Sequence, residues 1–140
     1  MNTSTGTSTD TFADASAPET SQAGAVSSGA GEPTPPSAPV YPPGWVRALL
    51  PLGILCTLEE TGRHGYAIAH SLGTLGFGIP RGGSLYPALT RLEESGEITA
   101  RWAPGPSGPA RKVYDLTDRG RERLRTERAL LQRLREELGA

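Results

Sequence analysis

The sequence predicts a mainly α fold with one small β-hairpin, an α+β chain. Three observations predict it. Apolar residues recur at helical spacing in three successive stretches between Trp45 and Gly96. The period then changes to two over Ile98–Trp102 and again over Lys112–Leu116. From Thr117 onward the helical period returns, with leucines spaced by seven.

Composition divides the 140 residues before any element is placed. In residues 1–43, Ser, Thr, Pro, Gly and Ala make up 32 positions and large apolar residues stand singly. Such a segment cannot bury enough apolar area to offset its chain entropy. Residues 1–44 are therefore expected to be a disordered tail. They carry Asp10, Asp14, Glu19 and Glu32 and no Lys or Arg, a net charge of −4. Residues 45–140 hold 14 Lys plus Arg and 11 Asp plus Glu, a net charge of +3. The overall −1 thus hides a mildly basic folded part, a balance that permits nucleic-acid binding. A single cysteine, Cys56, excludes an internal disulfide framework and lies in an apolar run that suits a buried thiol. The longest uncharged apolar run, Ala48–Leu58, has eleven residues and is too short to span a bilayer. With no secretory signal visible, a cytoplasmic location is expected and no membrane partner is.

The first helix is expected to start near Trp45. Leu49, Leu50, Leu52, Ile54, Leu55, Cys56 and Leu58 are apolar nearly all round, which marks a buried helix. Pro51 suits the first turn of its main body and Gly62 a stop. Ile68, Leu72 and Leu75 give a second short helix, followed by a connection loosened by Gly73, Gly76 and Gly78.

The third helix, within Gly83–Gly96, organises the chain. Gly83 or Ser84 is expected to cap it, with Pro87 in its first turn. Leu85, Leu89 and Leu92 form its apolar stripe, and Gly96 ends it in a left-handed conformation. Its opposite face carries Ser84, Tyr86, Thr90 and Arg91, types that read base edges and phosphates. An ordinary amphipathic helix with a solvated face gives the same pattern, and what flanks the helix decides between them. Helix, turn, helix, loop, helix is the layout of a helix-turn-helix domain with its reader last. The alternating runs after it form a hairpin around Ala103–Ala110, an eight-residue connection with three prolines and two glycines. A hairpin directly after a reader helix is a wing. Arg101, Arg111 and Lys112 stand at its base, where cations meet phosphates. Leu55, Ile68, Leu89 and Trp102 are expected in the domain's core.

Thr117 is a suitable N-cap for the last helix, with Asp118 in its first turn and Gly120 slightly weakening its start. Leu124, Leu131 and Leu138 are seven apart, Leu130 and Leu134 widen the stripe, and Glu127 interrupts it. This is the pattern of a partner-seeking amphipathic helix, so these leucines are the expected dimerisation residues. Enzymatic readings lack support. His64 and His70 have no neighbouring ligands for a metal, and the glycines of residues 73–78 follow a helix where a phosphate-binding loop follows a strand. No cofactor and no catalytic residue is expected.

Leu50–Thr117, with Gly120 beyond, resembles the PadR family of winged helix-turn-helix transcriptional regulators. The resemblance rests on His64-Gly65-Tyr66, on Gly83-Ser84-Leu85-Tyr86-Pro87-Ala88-Leu89, and on Arg91-Leu92-Glu93-Glu94 with Gly96, Ile98 and Trp102. It continues through Gly108-Pro109-Ala110-Arg111-Lys112-Val113-Tyr114 and Leu116-Thr117-Asp118-Arg119-Gly120. The resemblance implies a homodimer, held largely by the terminal helix with help from the first, that binds a palindromic operator in double-stranded DNA and represses. Three departures stand out. The family often has Arg or Lys at the position of Thr90, and an apolar residue at that of Glu97. Some drug-sensing members stack ligands on a tryptophan of the terminal helix. This terminal helix has no aromatic residue, which leaves a small-molecule effector as a partner without an assigned site. The domains read as a tail over 1–44, a winged helix-turn-helix over 45–116 and a dimerisation helix over 117–140. The rival reading is a winged module that binds protein and not DNA.

Overall fold

In the computed structural model, which describes residues 38–139, four helices pack with a small three-stranded sheet. Helix α1 spans Pro43–Thr57, β1 Arg63–His64, α2 Gly65–Thr74 and α3 Gly82–Glu94. Strand β2 spans Ile98–Ala103, β3 Arg111–Leu116, and α4 Asp118–Glu137. The three strands are antiparallel in the order β1-β3-β2. The α+β class and the winged layout are therefore as expected. Residues 1–37 of the expected tail lie outside the described residues.

Ile54, Leu55 and Leu58 of α1 and its end, Ile68 and Leu72 of α2, Leu89 of α3 and Ile98 of β2 are fully buried together. Each such side chain contributes about 1.5–3 kcal/mol relative to exposure. Leu75, on the apolar stripe expected of the second helix, and Trp102, expected in the core, are both exposed. Leu75 stands at the C-cap of α2, after its last helical residue Thr74, and borders an open cleft beside α1. Trp102 lies where β2 outruns the core: Ile98 is buried, Ala100 half-buried and Trp102 71% exposed. The period-two pattern gives the faces of the hairpin, which is longer than the core it covers.

Helix α1 begins at Pro43, two residues before Trp45, so Pro51 falls in the helix interior and not in a first turn. Residues ahead of it are held as a strap over the α2–α3 connection. Val40 N–H donates to Gly76 O at 2.9 Å, and the Tyr41 ring meets Phe77 edge-on at 6.1 Å. The exposed first turn of α1 leaves no apolar pattern to find. Helix α3 likewise starts earlier than expected. Arg81 occupies its N-cap position, and Gly83 and Ser84 lie inside the first turn. Arg81 O accepts from Ser84 N and Leu85 N, both at 2.9 Å, and no side chain caps the end. Pro87 therefore sits in the second turn and withholds the N–H that Gly83 O would accept. Gly83 is exposed on the helix surface. At the other end Gly96 has φ +80°, and Glu97 N–H donates to Leu92 O at 2.9 Å, closing the helix as expected.

Thr117 caps α4, accepting from Gly120 N–H at 3.0 Å, while its own hydroxyl donates to Gly96 O at 2.7 Å. One threonine thus ties the start of α4 to the end of α3. Gly120, far from a mere weakness, is buried against the Glu97 carbonyl and the Leu116 side chain, and a Cβ there would collide with both. The Glu97 carboxylate accepts from Arg123 at 2.6 Å. Arg128 of α4 grips Glu59 with both guanidinium ends, at 3.0 and 2.8 Å.

Gly120→Ala is expected to lose about 1–3 kcal/mol by overpacking. Gly83→Ala, in open space on a helix, is expected to be neutral or to gain up to about 1 kcal/mol. Urea denaturation of the two variants reads this difference. The hydrogen bond from Arg128 holds the Glu59 carboxyl below its ordinary 4.5, with burial opposing. Its contribution is complete above that ordinary value and lost as pH falls through the lowered one. Because both side chains are over one-third exposed, Glu59→Gln should destabilise by no more than about 1 kcal/mol at pH 7. The difference should shrink as pH falls through the lowered value, as thermal melts from pH 7 downward would record.

Candidate nucleic-acid interface

Three elements converge on an open recess of about 1100 Å³. Helix α3 contributes Tyr86 and Thr90, four residues apart and so on one helix face. Strands β2 and β3 contribute Trp102, Arg111, Lys112 and Tyr114, while β1 and α2 contribute Arg63, His64, Tyr66 and His70. The recess floor is Tyr114, which is buried, and burial pushes its phenol upward with the Lys112 charge opposing. Lys112 Nζ lies 5.6 Å from the Tyr114 ring centroid and 3.7 Å from Glu93 Oε1. Arg111 points to the outer rim, with Nη1 3.2 Å from His64 Nε2. The His64 and Tyr66 rings stack at 6.4 Å. Tyr86 rests its ring against the backbone of Gly65, where any side chain would collide with it. This glycine lets α3 approach the start of α2. Arg63, Arg111 and Lys112 give the lining three cations, and among these lining residues there is no carboxylate.

Residues 54–126 match the model of the transcriptional regulator PadR-like family. The chain belongs to this family. A PadR family regulator from Eggerthella lenta has a similar structure, with 33% identity, 69% of this chain and 83% of that chain covered, and a TM-score of 0.61. A PadR-like regulator from Bacillus cereus shares 26% identity over 69% of this chain and 98% of its own, with a TM-score of 0.59. Bacillus subtilis PadR, solved in complex with operator DNA, shares 31% identity over 56% of this chain and 44% of its own, with a TM-score of 0.51. A comparison with curated proteins gives no match.

In this PadR-like chain the residues expected on the reading face divide. Tyr86 and Thr90 enter the recess, whereas Ser84 and Arg91 are exposed on α3 outside it. Ser84 instead shares a neighbouring groove with Arg47 and Arg81. Arg111 and Lys112 line the recess, but Arg101 does not. Its Nε donates to Asp115 Oδ2 at 2.7 Å. Sequence reasoning groups it with Arg111 by number, blind to Asp115, which stands two residues along β3 from Val113, the Cα partner of Arg101. Sequence reasoning also misses His64, Tyr66, His70 and Trp102 as lining residues. The two-residue strand β1 carries no periodicity, so nothing local shows that His64 meets the wing.

The expected dimer stripe also divides. Leu124 is 2% exposed and belongs to the chain's own core, so it is corrected from a partner-facing to a core residue. Leu130, Leu131, Leu134 and Leu138 are 58%, 37%, 52% and 75% exposed. Leu131 borders an apolar cleft with Trp45, Val46, Leu49 and Leu52 of α1. Among the described residues no helix is long and apolar enough to cross a membrane.

Proposed function

We propose that this PadR-like regulator is a homodimeric repressor that binds a palindromic operator through α3 and the wing. The observation that carries the reading is the recess, where a helix face bearing Tyr86 and Thr90 adjoins Arg111 and Lys112 with no acid among the lining residues. Cations at the wing suit phosphates, and hydrogen-bonding side chains on a helix suit base edges. A relative of 31% identity solved on operator DNA supports the same assignment. Ser84 and Arg91 flank the contact, and Arg101 contributes less because Asp115 competes for it. The exposed leucines of α4 and the apolar cleft along α1 form the dimer surface, which sets two readers about 34 Å apart in successive major grooves.

Arg111→Ala is expected to weaken binding to all duplexes alike. It should flatten the log–log salt slope by about 0.9 for each phosphate no longer neutralised, with both protomers included. Thr90→Ala should instead leave the slope alone and relax sequence preference by roughly 1–3 kcal/mol at one base pair. Titrations at several salt concentrations on matched and mismatched duplexes read both; an unchanged slope for Arg111→Ala would remove it from the interface. Leu131→Glu sets a charge into the proposed dimer surface in both chains and should give a folded monomer with greatly reduced operator binding. Light scattering and circular dichroism check this, and a variant that stays dimeric would show that α4 is not the dimer handle.

A further inference from the structure

We propose that Trp102 is itself a DNA-contacting residue, its indole packing on the sugar and base-edge surface of the strand held in the recess. This rests on the DNA-binding reading above. The indole is 71% exposed, although a tryptophan buries about 150–250 Å² of largely apolar surface wherever it finds a partner. Its own fold covers less than a third of it. Trp102 stands directly opposite Lys112 in the β2–β3 register, so the two side chains leave the sheet on the same face. That face leads inward to Ala100 and buried Tyr114, and outward to the recess that Tyr86 and Thr90 line from α3. An indole beside an ammonium, a guanidinium and a helix reading face is placed for a polyanion with apolar patches between its charges. The absence of acids from the lining argues for a polyanion over a protein surface of mixed charge. Deoxyribose rings and base edges alternate with phosphates along a DNA strand, and an apolar ring that covers them gains by removing that surface from water. The division of labour follows: Arg111 and Lys112 supply the salt-dependent attraction, and Trp102 supplies a contact that releases no counterion.

The chain has two tryptophans, Trp45 and Trp102, so the emission change of the wild type less that of Trp102→Phe isolates the Trp102 signal. Full-length protein is titrated with a mixed-sequence duplex of about three helical turns at several salt concentrations. Trp102 emission is expected to change on saturation. Trp102→Ala should weaken binding about tenfold, on the scale of covering part of one large apolar side chain. Its log–log salt slope should match the parent's, Trp102→Phe should recover most of the affinity, and the melting temperature should barely move. Unchanged emission, or wild-type affinity for Trp102→Ala, overturns the proposal and leaves the DNA-binding reading intact. A flattened slope like that of Arg111→Ala also overturns it, because Trp102 would then act only by placing the cations. A parent protein that binds no duplex at low salt would overturn both readings. Should Trp102→Ala fail to fold, the emission of the intact Trp102 still decides.

Discussion

The register of β3 is the constraint on which the rest depends. This strand is paired on both sides, with Arg63 and Ala100 both opposite Tyr114. Lys112, Tyr114 and Leu116 alternate onto one face. Tyr114 on that face closes the core, and Lys112 on the same face reaches over it into the recess. A slip of one residue would exchange the faces, sending Val113 and Asp115 inward and Lys112 away from α3. Core and site are thus specified by the same hydrogen-bond ladder. Two short connections pin that ladder. At one end β1 joins the start of α2 to the outer side of β3, and at the other Thr117 bonds back to Gly96 behind α3.

Charge follows the same logic. The folded part is rich in arginine, yet its guanidinium groups are not equivalent. Arg123 is satisfied by Glu97 and Glu127, Arg128 by Glu59, and Arg63 donates to Thr57 O at 2.7 Å. These hold elements together. Arg101 is engaged by Asp115, in a surface pair worth only about 0–1 kcal/mol, which orients the side chain more than it removes it. Arg111 faces a histidine ring and Lys112 a tyrosine face with a glutamate at 3.7 Å. Arg111 thus keeps its positive charge toward the recess, while Lys112 shares its own with Glu93. A count of basic residues cannot make this distinction, because it depends on which acid the register brings alongside.

Periodicity makes the three core helices, the hairpin and the terminal helix legible, because each carries several apolar residues in one repeat. Gly96 and Thr117 are legible because their roles are local: a positive φ and a cap. What escapes is non-local or lacks a repeat. Helix α3 starts earlier than its glycines suggest because a backbone carbonyl at Arg81 suffices to begin it. Trp102 reads as core because alternation reports which face a residue takes and not how far the core extends beneath it. Gly120 reads as a weak helix residue because its close approach to the Glu97 carbonyl joins positions 23 apart in the chain. Of the recess, the α3 and wing residues can be found, whereas His64, Tyr66 and His70 depend on β1 pairing with β3.

The terminal helix shows why the exposed stripe begins later than its heptad suggests. Helix α4 has 20 residues, a length of about 30 Å at 1.5 Å per residue. Its first two turns dock, burying Gly120 and Leu124. Arg123 and Arg128 then fasten it to Glu97 and Glu59, and beyond Arg128 the helix has no buried residue. Leucines spaced by seven span this change without marking it, since the heptad is blind to whether its partner is the same chain or another. Four exposed leucines within nine residues make a patch that a lone chain leaves in water. Leu131 borders the cleft along α1 where Trp45 is also exposed, so the uncovered surface is continuous from one helix to the other. In the proposed homodimer a two-fold axis would lay this surface on its own copy, repeating each contact. The docked turns would then fix the direction of α4 relative to α3, so that the dimer interface sets the spacing of the two recesses.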